Sequence, residues 1–208
     1  MARITLEVSD VIAALSQILE SPSNWSGTVE LVQEAGFKGQ KPFRCDILLN
    51  AALEKDDARW RTILHEALHS FSQGYNREDF ESFRGWEEGV VEKLQRLLRP
   101  AVLSALKITV EETVFNAFEE RHLYNSYLEA LAELQQVVGQ PEQQFYTNLL
   151  KTPIRDRSAS VYALSRHLTG QDYKDFMLVF SRTNSVLKGK IKWNSPPTKS
   201  STENGSSA

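Results

Sequence analysis

His65, Glu66 and His69 sit inside an apolar stretch, among Ile63, Leu64, Ala67, Leu68 and Phe71, and this segment constrains the fold more than any other. The spacing of the apolar residues predicts a buried helix. On a helix, residues four apart lie one turn apart on the same face, so both imidazoles can reach a single ion. Two incidental histidines on an ordinary helix are the plainer alternative. The chain has only 4 His, however, and two of them fall at this spacing in apolar surroundings. Burying two imidazoles and a carboxylate is costly without a partner such as a metal. Zinc is the expected ion. Glu66, turned slightly around the cylinder, can then hold a water beside the metal without itself ligating.

A catalytic zinc takes three protein ligands and keeps a fourth position open. A metzincin would carry Gly and His three and six residues after His69, where this chain has Ser72 and Tyr75. Downstream, Trp86-Glu87-Glu88-Gly89 opens a second helical pattern, and eighteen residues separate His69 from Glu88. His65-Glu66-x-x-His69 followed by Glu88-Gly89 resembles the gluzincin signature, in the aminopeptidase-type version in which a Trp shortly precedes the Glu-Gly. The resemblance covers about residues 43–98. It implies Glu88 as third ligand, on a helix packed against the first, and a strand before the active-site helix that borders the cleft and pairs with extended substrate. Trp86 stands one residue closer to Glu88 than in the aminopeptidase pattern, and no Gly-x-Met-Glu-Asn motif lies upstream. The resemblance therefore does not extend to aminopeptidase activity.

Glu87 competes with Glu88. Glu88 shares a helical stripe with Val91, Glu92 and Gln95, whereas Glu87 lies about 100° away. Gly89 would leave room for the two helices to approach. Glu88 is favoured, and Glu87 stays open. In similar gluzincins an acidic residue four after the ligand Glu orients the first His, which implies Glu92 as the partner of His65. Its plainer reading is a solvated carboxylate beside Lys93 and Arg96. For a donor to the developing oxyanion, His122, Tyr124 and Tyr127 are candidates on an expected helix over 110–138, with core packing as the alternative for the tyrosines. Phe115, Phe118, Leu123 and Leu128 read as core, and His167 as structural or surface.

The rest of the chain sets bounds. Its 208 residues, 41% hydrophobic and 25% charged, suit one globular domain, or one domain with a helical appendage. A formal net charge of -3 gives no reason to expect a nucleic-acid partner. No apolar run is long enough to span a membrane, no apolar signal core follows Met1, and Cys45 has no second cysteine to pair with. The expected location is the cytoplasm.

Ile4, Leu6 and Val8 alternate with polar residues and read as a strand, followed by a helix capped at Ser9 or Asp10. Thr28 to Val32 reads as a strand, with a helix extended by Gln33 to Ala35 as the alternative, and Phe43 to Leu49 reads as a strand after a turn over 36–42. Helices are expected over 57–73, ending near Gly74, and over 86–99, stopped by Pro100. Others follow over 110–138, 142–150, 159–168 and 171–187. The Ser- and Pro-rich end reads as disordered.

The expected architecture is an α+β, zincin-like fold: a small N-terminal sheet, an active-site helix, a ligand helix and a helical C-terminal half. Its divisions are a catalytic core over 1–100, a helical subdomain walling the cleft over 101–192 and a tail over 193–208. The expected activity is zinc-dependent peptide hydrolysis on a peptide or protein substrate. Two rivals remain: a dedicated protease acting on a single partner such as a transcriptional repressor, and a zinc-stabilised binding module without turnover.

Overall fold

The computed structural model describes residues 2–33, 38–43 and 46–190. The chain opens with helix α1, Ala2–Leu19, not with a strand. Ile4, Val8, Val11, Leu15 and Leu19 are buried, a helical spacing, while Leu6 is 63% exposed. The short alternation of Ile4, Leu6 and Val8 is thus half of a longer 3.6-residue pattern. Ser9 and Asp10 lie within α1 rather than at its start.

Three short strands follow: β1, Val29–Val32; β2, Gly39–Gln40; and β3, Ile47–Asn50. The sheet order is β1-β3-β2, with β1 parallel and β2 antiparallel to β3. Ile47 and Leu49 point into the core. The expected strand over 43–49 is shorter at its start, and Arg44 and Cys45 lie outside the described residues. The residues expected to form only a turn supply β2, which pairs Gly39 with Leu49 and Gln40 with Leu48. The sheet edge is therefore β2, and β3 is the central strand.

Asn50 caps a 3-10 turn over 51–55, and the Asp56 carboxylate accepts from Ala58 N–H before α2, Arg59–His69, begins. Every residue of α2 is buried. The helix stops at His69, short of the expected 73, while Gly74 takes a left-handed φ of 69° in the loop beyond. That loop is tied to a segment distant in sequence, 150–154: Gln73 N–H donates to Leu150 O, and Ile154 N–H to Gln73 O.

Helix α3, Arg77–Ala105, is capped by Asn76 and kinks at Phe83 (φ -128°, ψ 28°). It then runs straight through Pro100, where a stop was expected. Val102 and Leu103, just beyond, bury their side chains, and this packing offsets the hydrogen bond that proline removes. The helix expected over 110–138 is two helices, α4, Thr113–Glu119, and α5, Asn125–Val138. Asn125 Nδ2 donates to the carbonyls of Glu119 and Glu120, satisfying the end of α4 and fixing the break. Then come α6, Glu142–Leu150; α7, Arg157–Leu164; and α8, Gly170–Leu187.

The molecule is mostly helical with a small mixed sheet, an α+β arrangement. α3 is its axis, packing against α1, α2, α5, α6 and α8, and it crosses residue 100, where the sequence suggested a division. Gly89 faces α5, not α2: a Cβ there would stand 2.7 Å from Leu131 Cδ1 and 3.2 Å from Tyr127 Cβ. Phe115 and Leu128 are core, but Phe118 is half-buried and Leu123 is 71% exposed. No helix among the described residues is long and apolar enough to cross a membrane. The expected tail over 193–208 lies outside the described residues.

Candidate metal centre

Two helices build the site. α2 carries His65, Glu66 and His69; α3, packed against it, carries Glu87, Glu88 and Glu92. The 3.6-residue repeat turns His65 and His69 to the same side, and their rings lie edge to face with centroids 5.0 Å apart. Glu88 Oε2 stands 3.2 Å from His65 Nε2 and 3.6 Å from His69 Nε2. One ligand atom from each of His65, His69 and Glu88 lies within 4.8 Å of the others, and all three residues are buried.

The opposite ring nitrogens are already engaged. His65 Nδ1 lies 3.1 Å from Glu92 Oε2, and His69 Nδ1 lies 2.6 Å from Glu87 Oε1. Carboxylates only accept, so each Nδ1 carries the proton and donates. In the neutral rings both Nε2 atoms then present lone pairs, and both face the Glu88 carboxylate. Three lone-pair donors converging in a buried space require a cation between them or a proton on each ring. Without a metal the rings take the proton. Burial works against charging His65, but hydrogen bonds to Glu88 and Glu92 outweigh it and raise the pKa to about 10. Burial likewise opposes charge on His69, and Glu87 and Glu88 lift it to about 9.

The donor set and spacing suit a metal ion of about zinc's size. Bonds of about 2.0–2.1 Å at tetrahedral angles put neighbouring ligand atoms about 3.3 Å apart, close to the 3.2 and 3.6 Å found here. Charge points the same way. Glu87 is paired with Arg157 Nη1 at 2.7 Å, and Glu92 with Arg61 Nη2 at 2.7 Å and Arg96 at 2.9 Å. Among the described residues the one arginine in an ion pair with Glu88 is the largely exposed Arg84, 3.7 Å away. Glu66 has no such cation beside it among the ion pairs of the described residues.

No family model, no curated protein and no solved structure matches this chain. What the site does must be read from its own atoms.

Glu87, the rival for third ligand, is turned away from the cluster. Its carboxylate is fully buried, accepting from His69 on one oxygen and from Ser72 Oγ (2.7 Å) and Arg157 on the other. Arg157, the first residue of α7, is itself fully buried and also donates to Ser72 Oγ (2.6 Å) and Trp86 O. Ser72 and Arg157 were not singled out in the sequence. Ser72 follows His69 by three, a weak local signal, whereas nothing local marks Arg157.

The three candidates for oxyanion contact separate, since they do not share one helix. Tyr124 lies just before α5, with its ring stacked 6.2 Å from that of His65 and its hydroxyl accepting from Arg84 Nη2 at 3.3 Å. Burial first, then the charge of Glu88, pushes its phenol up and keeps it protonated. His122, in the turn before it, has Nδ1 3.8 Å from Glu92 Oε1. Tyr127 packs on Gly89 and stacks on Tyr124. It lines neither of the two cavities that meet at His65 and Glu66. Tyr75 was missed: its ring lies 5.1 Å from that of His69, and its hydroxyl donates to Lys41 O.

Glu66 opens onto a cavity of about 580 Å³ that Gln40, Lys41, Tyr75, Arg84 and Tyr124 also line. Burial raises the pKa of its carboxyl, the two histidines and a backbone N–H from Lys41 oppose, and the net shift is upward. β2, not the central strand, borders this space. A Cβ on Gly39 would sit 2.7 Å from Thr62 Cγ2 and 3.1 Å from Glu66 Cγ, so only glycine lets the strand lie this close over α2.

Proposed function

We propose that this chain is a zinc-dependent peptidase of zincin-like architecture, with His65, His69 and Glu88 holding the metal and Glu66 as general base. The observation that carries the reading is the convergence of two Nε2 lone pairs and one carboxylate, each imidazole held from behind by its own glutamate. Zinc bound there would supply Lewis acidity towards a carbonyl and lower the pKa of a nearby water.

The protein's own groups do the rest. Glu66 projects beside the ligand cluster without joining it, and its raised pKa makes it a stronger base for a water proton. That water attacks the scissile carbonyl carbon. Glu66 then returns the proton to the amine nitrogen as the C–N bond breaks. The Tyr124 hydroxyl, protonated and facing the same cavity, donates to the carbonyl oxygen as charge develops on it. Glu92 and Glu87 keep both imidazoles in the tautomer that leaves Nε2 free to ligate.

Glu66→Gln tests this reading. The amide keeps the volume and can hydrogen-bond a water but accepts no proton. The variant should fold and hold zinc like the wild type while losing at least about 10²-fold in peptide hydrolysis. Wild-type turnover surviving in the variant would sink the assignment, and a protein that binds zinc yet hydrolyses nothing would favour a structural role for the metal.

A further inference from the structure

Two cavities meet at the candidate metal centre. The first reaches from His65 and Glu66 past His69 to the rings of Phe43 and Phe80. The second reaches from the same two residues past Thr62 to Phe118 and Leu123. They share Gly39, His65, Glu66 and Tyr124, so they form one groove with His65 and Glu66 at the junction and His69 and Glu88 just inside the first arm.

The order of residues gives the groove its direction. Along the strand side, Lys38 lines the second cavity alone, Gly39 both, and Gln40 and Lys41 the first alone. Along α2 the same succession holds: Thr62, then His65 and Glu66, then His69. The strand and the helix run alongside the groove across the centre. β2 is the edge of its sheet among the described residues, so Gly39 and Gln40 have a side that pairs with no other strand, although just beyond them Lys41 N–H donates to Glu66 and Lys41 O accepts from Tyr75. A peptide laid there passes over Glu66 with residues on both sides.

Each arm offers an apolar floor and an open end. In the first, Phe43 and Phe80 lie 5.6 Å apart, with Arg77 at the rim and its side chain 77% exposed. In the second, half-buried Phe118 lies beneath Lys38 Nζ, 3.8 Å from the ring centroid, and Leu123 is 71% exposed. Among the described residues, the charges at the outer ends of the arms are not poised to capture a chain terminus: Arg77 and Glu81 are exposed and 3.9 Å apart, and Arg61 is taken by Glu92. Buried Lys41, nearer the centre in the first arm, holds its ammonium 4.7 Å from the Tyr75 ring centroid.

We infer that the site is that of an endopeptidase, taking an extended polypeptide across the metal with bulky apolar side chains on both sides of the scissile bond. This rests on the hydrolytic reading above.

The test uses the zinc-loaded full chain and a randomised decapeptide library acetylated and amidated at its ends, beside the same library with free ends. Blocked peptides should be cut internally at rates within about twofold of free ones, with apolar residues enriched on both sides of the cut. Phe80→Ala and Leu123→Ser should each lower kcat/KM by about tenfold or more on those sites, with zinc content unchanged. Each should also relax the preference on one side only. Cleavage confined to the first or last residues of free-ended peptides would overturn the inference and leave hydrolysis standing. If nothing is cleaved, binding of the blocked library to the zinc-loaded protein decides. Binding weakened by both substitutions keeps the groove and removes the hydrolytic reading, whereas no binding at millimolar peptide overturns the groove.

Discussion

Arg157 Nη1 closes a 2.7 Å ion pair on Glu87, and both side chains are fully buried. The first residue of α7 thereby holds the carboxylate that orients His69. Removing one partner of such a pair leaves an uncompensated charge in the interior, which typically costs about 3–5 kcal/mol. Arg157→Met should therefore lower the melting temperature sharply, and Arg157→Met combined with Glu87→Gln should recover part of the loss. A double-mutant cycle on unfolding free energies checks this, and additive losses would show that the pair does not act as one.

Glu87 and Glu88 are neighbours with different expected effects on zinc. Glu88→Ala should abolish stoichiometric metal in elemental analysis, because it removes one of the three residues proposed to hold the ion. Glu87→Ala should keep one zinc per chain, bound about 10–100-fold more weakly, since it removes only the acceptor of His69 Nδ1. The reverse pattern would make Glu87 the ligand.

Metal uptake should release protons. Metal-free, His65 and His69 are raised to about 10 and 9, so both rings are charged at neutral pH. Ligation needs each Nε2 deprotonated. Adding zinc to the metal-free protein at pH 7 in dilute buffer should liberate up to two protons per ion. Affinity should rise with pH up to about 10, most steeply below about 9 where both rings are still charged. Calorimetry in buffers of different ionisation enthalpy measures the count, and a count of zero would refute protonated rings in the metal-free state.

His122 gives a separate pH signature. Burial, aided by Arg61, His65 and Arg96 and opposed by Glu92, lowers it to about 4 from 6.5. The unfolded chain takes up this proton near 6.5 and the folded chain only near 4. Folding stability is therefore lost as pH falls through that window and levels off below it. In the zinc-loaded protein, His122→Gln should flatten the decline between about pH 6.5 and 4 in melting temperature measured against pH. An unchanged slope would place the acid loss elsewhere.

Legibility in the sequence followed the range of the interactions. His65 and His69 meet through a one-turn repeat, which a sequence displays directly. Glu88 could be placed because α3 repeats the same period and packs on α2. β2 could not: two residues, one a glycine, carry no alternation, and they become a strand only by pairing with Leu48 and Leu49. In α1, three alternating residues imitated a strand because the window was too short to separate the two periods. The break between α4 and α5 depends on Asn125 reaching back to two carbonyls. Arg157 meets Glu87 only through tertiary packing, so its sequence surroundings carry no trace of the contact.

Both histidines of the centre ride on one helix and the three carboxylates that contact them, Glu87, Glu88 and Glu92, on another, and this has a consequence for changes in chain length. A single residue inserted between Glu88 and Glu92 would rotate everything beyond it by about 100°. Glu92 would swing away from His65 and Arg61 in one step, and no neighbouring side chain could take its place. An insertion between Ser72 and Asn76 changes neither helix and lengthens a connection that is already non-helical. Indels should therefore be excluded from 65–69 and 87–92, and in the loop they must also spare the ties of Gln73 to Leu150 and Ile154 and of Tyr75 to Lys41, so the connection between the two helices is fixed in length more than its lack of helix suggests.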